Sequence, residues 1–327
     1  MKVSFEELKA QFNKVLLKNG FNEERAELCA RVFAENSRDG VYSHGLNRFP
    51  VFVQLVKDGL IKTDAEPECT NRQGVVEQWD GHMGPGMYVA LKATERAIAL
   101  AKENGMGCVA VRNTNHWMRG GTYGWQAADE GCVCICATNS IANMPPFGGK
   151  EPRLGNNPLV IAVPRKEGHL VLDMAISQFS YGKMQEYELK EEALPVDGGY
   201  DAEGNLTKDP GKIRESERPL PIGFWKGSGL SFMLDVLVAA LSNGRGVAQV
   251  TDSGSEAGVS QFFLCINAQS IDEALLNSIV NYTKSSAPAD GKGEVRYPGE
   301  GTLNTRRKSE QEGIHVSEEM WQKVLEL

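Results

Sequence analysis

An α/β fold with a mixed sheet and helical segments at both chain ends is what this sequence predicts. Three observations carry it. The first sixty residues repeat apolar positions at helical spacing. The middle holds apolar, β-branched runs of strand length, and helices intervene between only some of them, which breaks a regular βαβ alternation. The last residues, SEEMWQKVLEL, read as helix again.

The elements follow in order. SFEELKAQFNKVLLKNGF starts with Ser4 three residues ahead of Glu7, a capping box that satisfies N–H groups left free in a first turn, and it closes at Gly20. Leu8, Phe12, Val15 and Leu16 share one face. A second helix runs through NEERAELCARVFAENSRDG to near Gly40, with Leu28, Val32 and Phe33 inward. A third follows His44, with Phe49, Phe52, Val53 and Val56 repeating up to Gly59. From about Pro67 the period changes. VVEQWD reads as a strand, and GMYVALKATERAIALAKENG as a helix whose C′ glycine is Gly105. GCVAVRN, CVCICATN, LVIAVP and HLVLDMA read as strands, with GTYGWQAADEG the clearest helix among them. LPVDGGYDAEGNLTKDPGK, rich in Gly, Asp, Asn and Pro, reads as a long ordered loop or flap. GSGLSFMLDVLVAALSNG is strongly apolar, closes at Gly244 and reads as a central helix. SQFFLCIN is a strand, and SIDEALLNSIVNYTKSS a helix with Ser270 as N-cap and Glu273 completing the box.

Bulk properties exclude several classes. With 327 residues the chain has room for two domains, or one large α/β domain with an appendage, and needs no disulfide or metal to stabilise its core. A net charge of −8 argues against a nucleic-acid binder, so an anionic substrate must be met by locally placed Arg, Lys or helix N-termini. MKVSFEELKAQF lacks the apolar core of a signal peptide, and no apolar run approaches the roughly 20 residues that span a bilayer. A cytoplasmic location is the expectation. Cys132, Cys134 and Cys136 alternate along one strand, a spacing unlike that of zinc ligands, and read as buried small hydrophobes; no metal is expected.

Chemistry concentrates in a few places. His44, in GVYSHGLNRFP, reads as a histidine at a helix N-terminus, suited to general acid/base work near neutral pH. Arg48 follows at i+4, on the same helix face, where it can hold a carboxylate in a bidentate fork. A surface histidine and a solvated arginine remain the alternative. His116, with Asn113 and Asn115, follows a strand and precedes Gly120 and Gly121; the other reading is a polar turn capping a helix at Thr122. Asn139, Asn143, Asn156 and Asn157 crowd a segment of prolines and glycines, as a site edge or as turn residues. Asp173 ends an apolar strand, where it can bind ribose hydroxyls, orient a histidine or cap a helix. Lys226 precedes a helix that can bind an anion, with Trp225 able to stack on a ring. No G-x-G-x-x-G follows an early strand, and GHMGPG has the wrong spacing, which argues against a Rossmann nicotinamide site.

Together, GVYSHGLNRFP, NHWMRGGTYGWQAA, GNNPL, LDMAISQFSYGK, LPVDGGYDAEGNLTKDPG and GFWKGSGL resemble the malate/L-lactate dehydrogenase family, over nearly the whole chain. The resemblance implies a non-Rossmann, mixed-sheet nicotinamide-binding domain against which N- and C-terminal helical arms pack together, in a homodimer. It divides the chain into an N-terminal helical region, 1–66, carrying the catalytic histidine; a cofactor- and substrate-binding region, 67–300; and a C-terminal helical tail, 301–327. It implies reduction of a 2-oxo sugar acid by NADH, with NADPH as the other option. His44 matches the proton donor. Arg48 and His116 match positions around the substrate. The cofactor segments fall on His169, Leu170, Val171, Leu172, Asp173, Met174 and Ala175; on Trp225 and Lys226; and on Gly299, Glu300 and Gly301. A carboxylate partner of the histidine falls on Asp201, with Asp197 as rival. Another 2-oxo or 2-hydroxy acid on the same fold, such as malate, lactate or ureidoglycolate, and a sugar-acid binding protein without turnover, are the competing readings.

Overall fold

The computed structural model describes residues 1–289 and 291–327. The N-terminal arm comprises β1 (Lys2–Val3), α1 (Phe5–Lys18), α2 (Glu23–Arg38) and α3 (Phe49–Lys57). Ser4 caps α1 by accepting from the Glu7 N–H, and Asn22 caps α2 in the same way through Arg25. Each leaves an apolar face that must be covered. Phe12, Phe33 and Phe49 meet ring to ring between the three helices.

A seven-stranded sheet forms the body: β2 (Glu68–Gln73), β3 (Val76–Asp80), β4 (Met106–Asn115), β5 (Cys132–Thr138), β6 (Leu159–Val163), β7 (Leu170–Met174) and β10 (Ala257–Asn267), in the order β2-β3-β4-β10-β5-β6-β7. Only β3 and β4 run parallel, joined through α4 (Gly86–Asn104); every other pair is antiparallel. The sheet is mixed, as the irregular spacing of helices implied. β2 has no alternating pattern because all six of its residues are exposed.

Side-chain alternation splits the core in two. On one face Val109, Val111, Phe263, Cys265 and the three cysteines of β5 pack with α4, α5 (Gly121–Asp129) and the N-terminal arm. On the other, Cys108, Ala110, Ala137 and Phe262 pack under α8 (Trp225–Ser242). The expectation that α8 is central is corrected here. Leu234 and Val238 face the sheet, but Phe232, Met233, Val236 and Leu237 are 40–57% exposed.

The segment read as a flap, 194–212, is ordered and holds the hairpin β8 (Gly199–Tyr200) and β9 (Leu206–Thr207). With α6 (Tyr181–Leu189) before it and α7 (Pro210–Ser216) at its end, it packs around a small core of Met184, Leu194 and Ile213. The remaining elements are α9 (Val247–Asp252), α10 (Glu273–Lys284), α11 (Glu300–Glu312), β11 (Ile314–His315) and α12 (Glu318–Leu325). Asp272 caps α10 through the Ala274 N–H, so the expected Ser270 cap gives way to a residue two positions on. The chain ends are knitted together: β1 pairs with β11, and Ile314, Val316, Trp321 and Val324 join the core of the N-terminal arm. Among the described residues no helix is long and apolar enough to cross a membrane.

Candidate active site

His44 does not begin α3. It ends a single 3₁₀ turn, Tyr42–His44, and Arg48 is the N-cap of α3. The two are therefore not i, i+4 on one helix face. The chain breaks at Gly45, which presses on the C-terminal end of α2. A Cβ there would lie 2.3 Å from Ser37 Oγ and 2.8 Å from its backbone nitrogen, so only glycine fits. Two buried side chains of α2 lock the turn. Asn36 Nδ2 donates to the His44 carbonyl at 2.9 Å, and Ser37 Oγ accepts from the Leu46 N–H at 2.9 Å. The sequence signal for them was two polar residues on the inward side of an amphipathic helix, which the helix reading passed over.

His116 follows β4 directly and stacks on His44, with 5.7 Å between centroids and 19° between ring planes. Its Nδ1 accepts from the Met118 N–H at 3.1 Å, so the neutral ring carries its proton on Nε2. His44 Nδ1 sits 2.9 Å from Ser43 Oγ. Burial lowers the His44 pKa to about 3, with further depression from His116, Arg48 and Arg119; the Asp173 carboxylate works in the opposite direction. His116 is lowered to about 3 by burial and by Arg48. Both imidazoles are neutral in the free site at pH 7.

Arg48 Nη2 lies 3.7 Å from Glu256 Oε2, while its buried Nε has no partner among the described residues. Glu256 was not foreseen, because it lies in the polar lead-in to β10 with no motif around it. Asp173, on edge strand β7, accepts from the Gly121 N–H at 2.9 Å and so caps α5; Thr122 does not. Asp173 also lies 3.5 Å from Arg119 Nε. Arg119 in turn donates to Asp39 Oδ2 at 2.8 Å and to Thr302 Oγ1 at 3.3 Å. Asp201 is corrected as the histidine's partner. It is exposed in the β8–β9 hairpin and spends its carboxylate on the Asn205 backbone and amide. Rival Asp197 lies on the lead-in to the same hairpin, and Asp173 is the carboxylate whose field favours the His44 cation.

The candidate cofactor segments converge on β7. At one end the Val171 N–H donates to Pro298 O at 2.9 Å, and Gly299, at φ 98°, sits so close that a Cβ would lie 3.0 Å from Val171 N. Gly299 caps α11, which puts Glu300 and Gly301 in its first turn. Glu300 is engaged by Lys284 and by the Tyr297 N–H. At the other end Ile222 N donates to Ile176 O at 2.8 Å, which brings the start of α8, with Trp225 and Lys226 in its first turn, beside the same strand. His169 bonds Asp129 at 3.0 Å. Trp225 is exposed, and Trp125 is buried with an Nε1 that has no partner among the described residues. The Glu300 N–H at the start of α11 donates to Tyr297 O at 3.2 Å, and the following N–H groups have no acceptor within the helix. An exposed indole, a glycine turn and a helix N-terminus along one strand edge fit an extended dinucleotide.

The asparagine cluster is mainly structural. Asn139 ties Asp235, Arg245 and Ser260 together, and Asn157 bonds Ser231. The start of α6 closes over this side: Gly182 lies against Ser43, and Tyr181 Oη donates to the Asn143 carbonyl. A cleft of about 810 Å³ between α2, α4, α5 and α11 is lined by Asp39, Arg119, Trp125 and Arg306 and by none of His44, Arg48 and His116.

A neutral histidine beside an arginine, near a strand edge that can take a dinucleotide, is able to exchange a proton with a carbonyl oxygen. A sequence model of the malate/L-lactate dehydrogenase family matches residues 3–325. The chain is 47% identical over 330 residues to 2,3-diketo-L-gulonate reductase of Escherichia coli (strain K12), with 99% of both chains covered. Its fold is similar to that of malate dehydrogenase from Entamoeba histolytica, with a TM-score of 0.93, 26% identity, and 100% of this chain and 96% of that one covered. It is also similar to sulfolactate dehydrogenase from Methanocaldococcus jannaschii, with a TM-score of 0.89, 31% identity and the same coverage. The chain belongs to the malate/L-lactate dehydrogenase family and is a nicotinamide-dependent oxidoreductase acting between C–OH and C=O.

Proposed function

We propose that the protein reduces 2,3-diketo-L-gulonate to 3-keto-L-gulonate, with NADH as cofactor and His44 as proton donor. The observation that carries this reading is the 47% identity to a 2,3-diketo-L-gulonate reductase along essentially the whole chain. The grouping of His44, His116 and Arg48 supports the assignment of roles.

The bound nicotinamide supplies the hydride to the carbonyl carbon. His44 donates a hydrogen bond and then a proton to the oxygen as it gains negative charge. In the free site burial keeps the ring neutral. An arriving carboxylate adds negative charge, which joins Asp173 in favouring the cation. Arg48 holds the carboxylate, so the keto group is presented to the histidine. His169 to Ala175, Trp225, Lys226 and Gly299 to Gly301 hold the cofactor.

We further propose a homodimer formed over the exposed apolar side of α8, continuous with exposed Phe147, Phe224 and Trp225. A cytoplasmic place in carbohydrate metabolism fits a cofactor drawn from the cell's nicotinamide pool and cysteines that are all free. The similarity to sulfolactate dehydrogenase favours, as second reading, another 2-oxo acid on the same fold. A panel of 2-oxo acids with NADH and with NADPH, followed by loss of reduced-cofactor absorbance, separates the readings. The first expects diketogulonate with NADH to give the highest kcat/KM. A higher value for malate- or lactate-type acids supports the second. No turnover with any acid leaves a binding protein.

A further inference from the structure

Glu256 is the acidic side chain set against the arginine that meets the substrate. It immediately precedes β10, whose first residue, Ala257, pairs with Asn115 at the end of β4. Glu256 therefore lies at the end of the ladder where His116 leaves the neighbouring strand. Its carboxylate is 3.7 Å from Arg48 Nη2, with one quarter of the side chain exposed, and the Ile141 N–H donates to it. Arg48 Nε is buried without a partner among the described residues. Burial pushes the Glu256 carboxyl up, while Arg48 and the Ile141 N–H favour its charged form. This corner thus offers one arginine donor and one carboxylate acceptor.

A carboxylate on Arg48 has a cost. A substrate whose only polar group there is its own carboxylate must share the guanidinium with Glu256, and like charges brought together oppose binding. A substrate that also carries hydroxyl groups recovers this, because each hydroxyl can donate to a charged acceptor, and such bonds are roughly twice as strong as neutral ones. A polar site of this kind rejects an analogue lacking the hydroxyl, since its acceptor is then left unpaired.

We infer that Glu256 is a specificity-determining residue: it accepts hydrogen bonds from the hydroxyl groups of a polyhydroxylated 2-oxo acid and, through Arg48, disfavours 2-oxo acids that bring a carboxylate and no hydroxyl. This rests on the proposed reduction of a 2-oxo sugar acid.

The test uses the full-length protein and Glu256→Gln, which keeps the shape and removes the charge. Oxamate, a hydroxyl-free analogue of a 2-oxo acid, is titrated calorimetrically into the NADH-loaded protein. Pyruvate and 2,3-diketo-L-gulonate are then compared as substrates. The expected result is oxamate binding at least about tenfold tighter in Glu256→Gln, KM for pyruvate lower by a similar factor, and kcat/KM for diketogulonate lower by about 10–100-fold. Glu256→Asp, which retains the charge, should keep the wild-type order of preference. Unchanged oxamate affinity in Glu256→Gln, or equal changes for both substrates, overturns the inference whatever the wild-type protein reduces. If the wild-type protein leaves diketogulonate untouched while oxamate still binds about tenfold tighter to Glu256→Gln, the proposed function fails and Glu256 keeps its role toward another hydroxylated acid.

Discussion

His44 and His116 lie ring over ring, 5.7 Å apart, and desolvation of the half-buried pair disfavours a charge on either ring while the site is empty. Their folded-state pKa values of about 3 lie below the ordinary 6.5, so the unfolded chain binds more protons between those limits. Stability contributed by the neutral pair is present above pH 6.5 and is lost as pH falls toward 3. Denaturation midpoints measured from pH 7 to pH 4 should fall for the wild type and fall less steeply for His116→Asn, whose amide oxygen can still accept from Met118. Parallel profiles would show that the ring does not titrate as described.

Arg48 should separate substrates by charge. Arg48→Ala is expected to raise KM for a carboxylate substrate by about 10–100-fold, the loss of a hydrogen bond to a charged group, and to leave an uncharged dicarbonyl much less affected. Steady-state kinetics on both substrates decide it. An equal effect on both would remove the anchoring role.

His44 depends on a residue that never touches substrate. Ser37 Oγ holds the Leu46 N–H, and Gly45 leaves no space for adjustment. Ser37→Ala should cost about 1–3 kcal/mol of stability, since a buried N–H loses its acceptor. It should also lower kcat by roughly tenfold while the dissociation constant for NADH stays the same, because only the proposed proton donor is displaced. Stopped-flow turnover and cofactor titration read the two effects separately; a change in cofactor affinity of the same size would sink the assignment.

The outer side of α8 should be an interface. Phe232→Asp puts a charge on an apolar surface that the monomer has no means to cover. Sedimentation velocity is expected to show a dimer for the wild type and a monomer for the variant. A wild-type monomer, or a dimer unaffected by the aspartate, would move the interface elsewhere.

Much of the fold was legible because hydrophobic period reports secondary structure directly. The helices of the N-terminal arm, α4, α5, α8 and α10, and strands β3 to β7 and β10, announced themselves by period and by punctuating glycines. β2 escaped because its side chains all face solvent. β1 and β11 escaped because two-residue strands carry no period. α8 misled, since an apolar run reads the same whether its side chains pack on a sheet or, like Phe232 and Met233, stay exposed. At the site, His44, Arg48, His116 and Asp173 were named from their motifs, but the motif spacing suggested a shared helix where the structure has a turn, a glycine break and a cap. Glu256, Arg119, Asn36 and Ser37 were invisible because their roles depend on neighbours distant in sequence.

The pairing of β1 with β11 has a consequence for synthesis. The pocket that receives α1, α2 and α3 is partly walled by Ile314, Val316, Trp321 and Val324, which are synthesised long after those helices. The segment carrying His44 therefore finds its complete support only once residues 314–324 have been made. Deleting residues 316–327 should accordingly loosen the first fifty residues, and with them the turn that carries His44.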